Sequence, residues 1–198
     1  MAKFKGYERM ERIVGKRFAG CWFDNFEIGA DDFTELREYA RDTCKVYARS
    51  LTDIVHGQNL ILMGSVGTGK DHLAVSVLRA AMSSGISVRY ERGSVICGIC
   101  RKSFLENSEE VPYELLNVDL LVISDIEPTP NKASDFEERA ILRLVDYRYT
   151  HQLPTIITSN LSSRSHMSSV IGERTTDRLF EGAVVVPMLW PSYRGERG

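Results

Sequence analysis

The sequence contains no apolar run approaching the roughly 20 residues that a bilayer-spanning helix needs. Its first seventeen residues, MAKFKGYERMERIVGKR, are cationic but lack the apolar stretch of a secretory signal. A cytoplasmic protein without a membrane partner is therefore expected. Charge of one sign is also missing: 25 Lys and Arg face 27 Asp and Glu, a net charge of −2. That balance excludes a uniformly basic nucleic-acid coat and leaves room for a local basic stripe. Cysteine is scarce, with four in all, and only Cys97 and Cys100 have the spacing of redox or metal sites. No second C-x-x-C or H-x-x-x-H completes a zinc site. The surrounding SVICGICRKSF reads as a helix in which cysteine is a small apolar residue. Repeats, low-complexity tracts and Pro/Gly-rich linkers are absent, and 198 residues suffice for one well-buried domain but not two ordinary ones.

What is present is an alternation of periods. Phe33, Leu36, Ala40, Cys44, Tyr47, Leu51 and Ile54 recur at steps of three or four, which predicts a helix over 31–55. Asp32 with Glu35 three residues on predicts a variant capping box at its start. Short apolar runs at 59–63, 86–91, 118–124, 154–159 and 183–188 read as strands. Helical stretches at 70–84, 94–106 and 134–150 fall between them. Strands alternating with helices imply an α/β fold with a parallel sheet covered on both faces. Residues 1–17 carry six Lys/Arg against two Glu and are expected to form a mobile basic arm, with the folded domain over 18–198.

GSVGTGKDHLA, residues 64–74, lies between the first strand and its helix, where a phosphate site belongs. Glycines let the backbone approach a phosphate with its N–H groups, and the helix adds its positive N-terminal end. The candidate nucleotide-binding residues are Gly64, Ser65, Val66, Gly67, Thr68, Gly69, Lys70, Asp71 and His72, with Lys70 as the mobile cation. The residue after that lysine is normally Ser or Thr, whose hydroxyl supports magnesium; here it is Asp71.

A second acidic strand end, DLLVISDIE, has the form that holds magnesium and polarises water, but Ser124-Asp125 replaces the usual Asp-Glu. A hydroxyl is thus missing beside Lys70 and present at 124, while a carboxylate is missing at 124 and present at 71. Either the two supports of one ion have been exchanged, or the positions drifted independently in a site losing activity. Asp71, Ser124 and Asp125 are the candidate metal supports. PTIITSN places Thr158 and Asn160 at another strand end, where they could meet a phosphate or water, or merely cap the next helix.

These stretches, with IGERTTDRLFEG and the closing WPSYR in the same order, resemble the AAA+ ATPases of the bacterial replicative-helicase loader DnaC, with the transposition ATPase IstB close behind. The resemblance spans roughly 18–194 and implies a P-loop ATP-binding domain that uses ATP and Mg2+ and assembles head to tail with copies of itself. By motif position, Asp125 matches the catalytic Glu, Asn160 the first sensor, and Arg178 the arginine finger, with Arg174 beside it. Arg194 matches the sensor arginine reading the nucleotide within its own subunit. Read locally, Arg174 and Arg178 are also a solvated charge network with Glu173 and Asp177. The helical lid of many AAA+ proteins has no counterpart in the ten residues after Met188.

Arg89, Arg92, Arg101 and Lys102 interleaved with Tyr90 and Phe104, and a second cluster DYRYTH at 146–151, have the ingredients for binding single-stranded DNA. The leading expectation is a helicase-loader-like ATPase, slow in hydrolysis, that self-assembles and binds single-stranded DNA, with a replicative helicase as a further partner. An IstB-type transposition ATPase and a nucleotide-dependent scaffold with little hydrolysis are the alternatives.

Overall fold

The computed structural model describes residues 2–52, 57–105, 111–127 and 134–194; of Ala2–Gly6 and residues 104–105 it describes the backbone only. Five strands, β1 (Leu60–Gly64), β2 (Val88–Arg92), β3 (Leu120–Ser124), β4 (Thr155–Ser159) and β5 (Val184–Met188), form one sheet in the order β2-β3-β4-β1-β5. Every neighbouring pair is parallel. The helices are α1 (Ala2–Val14), α2 (Thr34–Ser50), α3 (Lys70–Ser83), α4 (Gly93–Leu105), α5 (Tyr113–Leu116), α6 (Asp135–Thr150), α7 (Arg164–Ile171) and α8 (Glu173–Phe180).

The central strands β1, β3 and β4 are buried along their whole length, as continuous apolar runs covered on both faces should be. Their side chains divide by period two. Leu60, Leu62, Leu120, Val122 and Ile156 join one core with α1, α2 and α3. Ile61, Met63, Leu121, Ile123 and Ile157 join the other with α4, α6, α7 and α8. The edge strand β5 carries Pro187, which a central strand would not tolerate. Among the described residues no helix follows β5, and none is long and apolar enough to cross a membrane.

Three expectations are corrected here. The proposed mobile arm is helical: Met10 and Val14 are buried in the first core, with Ile13 packed beside them. Charge counting missed this apolar stripe at positions 10, 13 and 14, one face of a helix. Helix α2 begins at Thr34, and the Asp32–Glu35 box does not form. Instead Asp31 Oδ1 accepts the Phe33 N–H at 2.9 Å, while Arg37, itself 4% exposed, donates to both Asp31 carboxylate oxygens at 2.8 Å. The predicted C-terminal part of that helix over 53–55 lies outside the described residues.

The third correction concerns DYRYTH. Arg148 is 1% exposed and donates to Thr155 Oγ1 and to the carbonyls of Leu115, Leu116, Val118, Asp119 and Pro154. Tyr147 stacks on His151 at 3.9 Å and bonds Asn117. Arg148 is thus a brace between α6 and the chain entering β3 and β4, and is not available to DNA. The first basic cluster divides: Tyr90 packs against the core and Arg89 pairs with Glu91 at 2.9 Å, while Arg92, Arg101 and Lys102 are exposed. The Phe104 side chain lies outside the described residues.

Burial pushes the Arg148 pKa down to about 10, so the guanidinium stays charged at neutral pH. Leaving even two of its carbonyl partners buried without a donor costs about 1–3 kcal/mol each. Arg148→Ala should therefore lower unfolding free energy by about 3 kcal/mol or more in urea. A loss below about 1 kcal/mol would show that water or neighbouring groups replace it.

Candidate functional site

The glycine-rich loop leaves β1 at Gly64 and enters α3 at Lys70. Gly67 and Gly69 have φ of +85° and +91°, a region that residues with a Cβ avoid. A Cβ at Gly67 would collide with Ser192 Oγ, and one at Gly69 would lie 2.8 Å from the Phe26 ring. The loop is held from outside by the tail: Trp190 Nε1 donates to Thr68 O at 3.0 Å and Tyr193 N to Gly67 O at 3.1 Å. Thr68 is fully buried, and its hydroxyl turns inward to Ser65 O. Lys70 Nζ donates to Gly64 O and Ser65 O at 2.7 and 2.8 Å. Burial lowers the Lys70 pKa, and Asp71, Asp125 and Glu127 oppose that shift.

At the first turn of α3, Asp71 Oδ1 accepts hydrogen bonds from Ser124 Oγ at 2.8 Å and Thr158 Oγ1 at 3.0 Å. Thr158 Oγ1 also accepts the Asp125 N–H at 3.0 Å. Asn160 Nδ2 reaches Asp125 Oδ1 at 3.1 Å. Helix α3, β3 and β4 are thus joined through Asp71, Ser124, Asp125, Thr158 and Asn160. The sheet order explains it, since β3 and β4 are neighbours and their C-terminal ends meet the start of α3.

A cleft of about 470 Å³ runs from the loop across the segment before α2, within the range of small-ligand sites. Lys70, Asp71, Asp125, Asn160 and Arg194 line it, together with Phe18, Cys21, Phe26 and Tyr193. His72 lines it too, but its Nε2 is bonded to Trp22 O at 2.8 Å and burial lowers its pKa, so its ring acts on the protein. Arg178 is elsewhere: on α8 it forms an ion pair with Asp146, which Arg174 also contacts at 3.4 Å. The expected pairing within the helix is replaced by one across to α6, and Asp177 pairs with Arg164 instead. The four cysteines are buried, and Cys97 and Cys100 pack into the second core as small apolar residues.

Sequence reasoning missed Phe26, whose ring lies edge-on to His72, Trp190 and Tyr193. Tyr90, expected to stack on DNA, instead has its Oη turned inward beside Ser124. Glu127 was quoted within the acidic strand end and given no role. Its Oε1 accepts from Ser159 Oγ and from Asn160 N. Only the acidity after β3 could have signalled Glu127; the aromatic lining comes from chain distant in sequence.

These residues fit a nucleoside triphosphate and its metal. The loop has the glycine-only backbone that brings N–H groups close to phosphate, and the Asp71 carboxylate with the Ser124 and Thr158 hydroxyls lies at the start of the following helix. Among the described residues no cluster of three or more His, Cys, Asp or Glu could hold an ion alone. Magnesium needs only one or two protein oxygens when phosphates supply the rest, which suits Asp71, Asp125 and the two hydroxyls.

A family model described as IstB-like ATP binding protein matches residues 31–197. The replicative helicase loader DnaC of Buchnera aphidicola subsp. Acyrthosiphon pisum is 28% identical over 196 residues, covering 94% of this chain and 76% of that protein. DnaC of Escherichia coli K12 is 29% identical over 178 residues, covering 88% and 69%. Among solved structures, the DnaC helicase loader aligns with a TM-score of 0.75 at 23% identity, over 87% of this chain and 98% of that one. The replication initiator DnaA bound to AMPPCP and single-stranded DNA aligns at 0.67 with 20% identity, over 84% and 49%. At such identities the structural likeness establishes the AAA+ P-loop fold.

Lys70→Ala removes the loop's side-chain cation and should weaken ATP binding at least tenfold, about 1.4 kcal/mol, in a fluorescence titration. Unchanged affinity in the folded variant would place Lys70 outside the site.

Proposed function

Because the chain belongs to the IstB-like ATP-binding protein family, we propose that it is a helicase-loader-like AAA+ protein that binds Mg-ATP, assembles with copies of itself and engages single-stranded DNA during replication. The observation that carries the nucleotide reading is the 2.8 Å bond between Ser124 and Asp71. Two independent drifts would have no reason to leave these residues complementary. An exchange of hydroxyl and carboxylate between two supports of one ion puts them in contact. The names of the DnaC relatives support helicase loading as the setting, with a replicative helicase as partner.

Bound Mg-ATP would supply a phosphoryl group open to in-line attack by water. The chain's own residues do the rest. The loop from Gly64 to Gly69 and Lys70 hold the phosphates, and Arg194 at the cleft edge reads the nucleotide within the subunit. Asp71 supports the metal with Ser124, and Asp125 orients water with the Asn160 amide. Asp125 is one methylene shorter than Glu, and about 1 Å of misplacement can cost roughly a hundredfold, so hydrolysis is slow. Arg178 acts in trans on a neighbour's nucleotide, leaving Asp146 on assembly. Exposed Arg92, Arg101 and Lys102 supply charge for a DNA backbone.

Titrating Mg-ATP into the wild type, Asp71→Ser, Ser124→Asp and the double variant, while particle mass is followed on a single-stranded oligonucleotide, tests the reading. Each single change should weaken binding, and the double should recover it with ATP-dependent assembly on DNA. Groups sharing one ion couple by more than about 0.5 kcal/mol, so simple additivity would remove the exchange. A monomer mass under all conditions would remove self-assembly.

A further inference from the structure

We propose that Glu127 is a positioning residue of the phosphate site, fixing the end of β4 so that the Asn160 amide faces Asp125. The hydrolytic part of this proposal rests on the nucleotide reading above.

Asn160 is the first residue beyond β4 and is exposed, so the strand ladder does not orient it. Two carboxylates do. Its backbone N–H donates to Glu127 Oε1 at 3.1 Å, and its side-chain amide donates to Asp125 Oδ1 at 3.1 Å. The same Glu127 oxygen accepts the Ser159 hydroxyl, whose oxygen in turn accepts the Leu161 N–H at 3.1 Å. One carboxylate oxygen therefore gathers residues 159, 160 and 161.

The chain after β3 is built to deliver it. Asp125 adopts φ +46°, a left-handed conformation uncommon outside glycine. From there the Asp125 N–H bonds Thr158 Oγ1, the Ile126 N–H bonds Thr158 O at 3.1 Å, and Glu127 reaches Ser159 and Asn160. Successive residues of one strand end thus grip successive residues of the other. The Glu127 charge is also felt at Lys70, where it opposes the effect of burial, so this grip lies within reach of the phosphate loop.

What Glu127 contributes is an acceptor oxygen, and this separates it from a general base. Glutamine keeps that oxygen and loses the charge; alanine loses both. The test compares Glu127→Gln and Glu127→Ala by two readouts. One is the side-chain amide resonance of Asn160 in 15N-labelled, nucleotide-free protein, assigned by its loss in Asn160→Ala. The other is ATP affinity together with steady-state turnover.

Glu127→Ala should move the Asn160 resonance to the position of a solvent-exposed amide. It should also lower kcat at least tenfold while KM and ATP affinity stay within about threefold. Glu127→Gln should keep the resonance and stay within about threefold in kcat. The proposal is overturned if Glu127→Ala leaves the Asn160 resonance in place, or if Glu127→Gln loses as much as Glu127→Ala. Should the wild type turn over no ATP while the resonance responds as expected, the hydrolytic reading falls and the hold on Asn160 stands.

Discussion

One carboxylate oxygen, Asp71 Oδ1, ties the start of α3 to the ends of β3 and β4 through Ser124 and Thr158. The rest of the site is arranged around that constraint. A carboxylate in the first turn of a helix is favoured by the helix dipole, by about 0.3–1 kcal/mol at exposed sites. Here two hydroxyls, on Ser124 at 1% exposure and Thr158 at 0%, also satisfy it. With the helix start fixed, Lys70 lies against the loop carbonyls and feels the charges of Asp71, Asp125 and Glu127. The same oxygens that hold the apo geometry are those a magnesium would draw on.

The loop itself depends on chain that comes from far away. Trp190 and Tyr193, after the last strand, hold its carbonyls, and the Phe26 ring sits against Gly69. Phe26 belongs to the segment before α2, which Arg79 fastens by donating to the carbonyls of Ala19 and Cys21 with its guanidinium over the Trp22 ring at 4.1 Å. His72 adds a bond to Trp22 O. Helix α3 therefore anchors both the phosphate loop and the wall of the cleft, so a nucleotide touching either would be felt by the other.

The parts of the sequence that proved legible are those where local pattern and tertiary role coincide. Continuous apolar runs became buried parallel strands, because both faces of those strands are covered. The loop and the acidic strand end could be placed relative to each other since both sit at C-terminal strand ends of one sheet. The complementarity of Asp71 and Ser124 was readable for the same reason. Arg148 was misread because a guanidinium between two tyrosines looks the same whether it faces a phosphate or a set of backbone carbonyls. The first helix was misread because the six cations of residues 1–17 hid a three-residue apolar stripe. Phe26 and Glu127 carry no motif of their own; only the fold sets them beside residues that do.

The central claim is that Asp71 and its hydroxyl partners support a magnesium ion accompanying the nucleotide. Calorimetric titration of ATP into the wild-type protein, once with excess magnesium and once with EDTA, tests it most directly. The account predicts at least tenfold weaker binding without the metal, about 1.4 kcal/mol. Equal affinity in the two titrations would contradict it, leaving the bond between Ser124 and Asp71 as a structural tie alone.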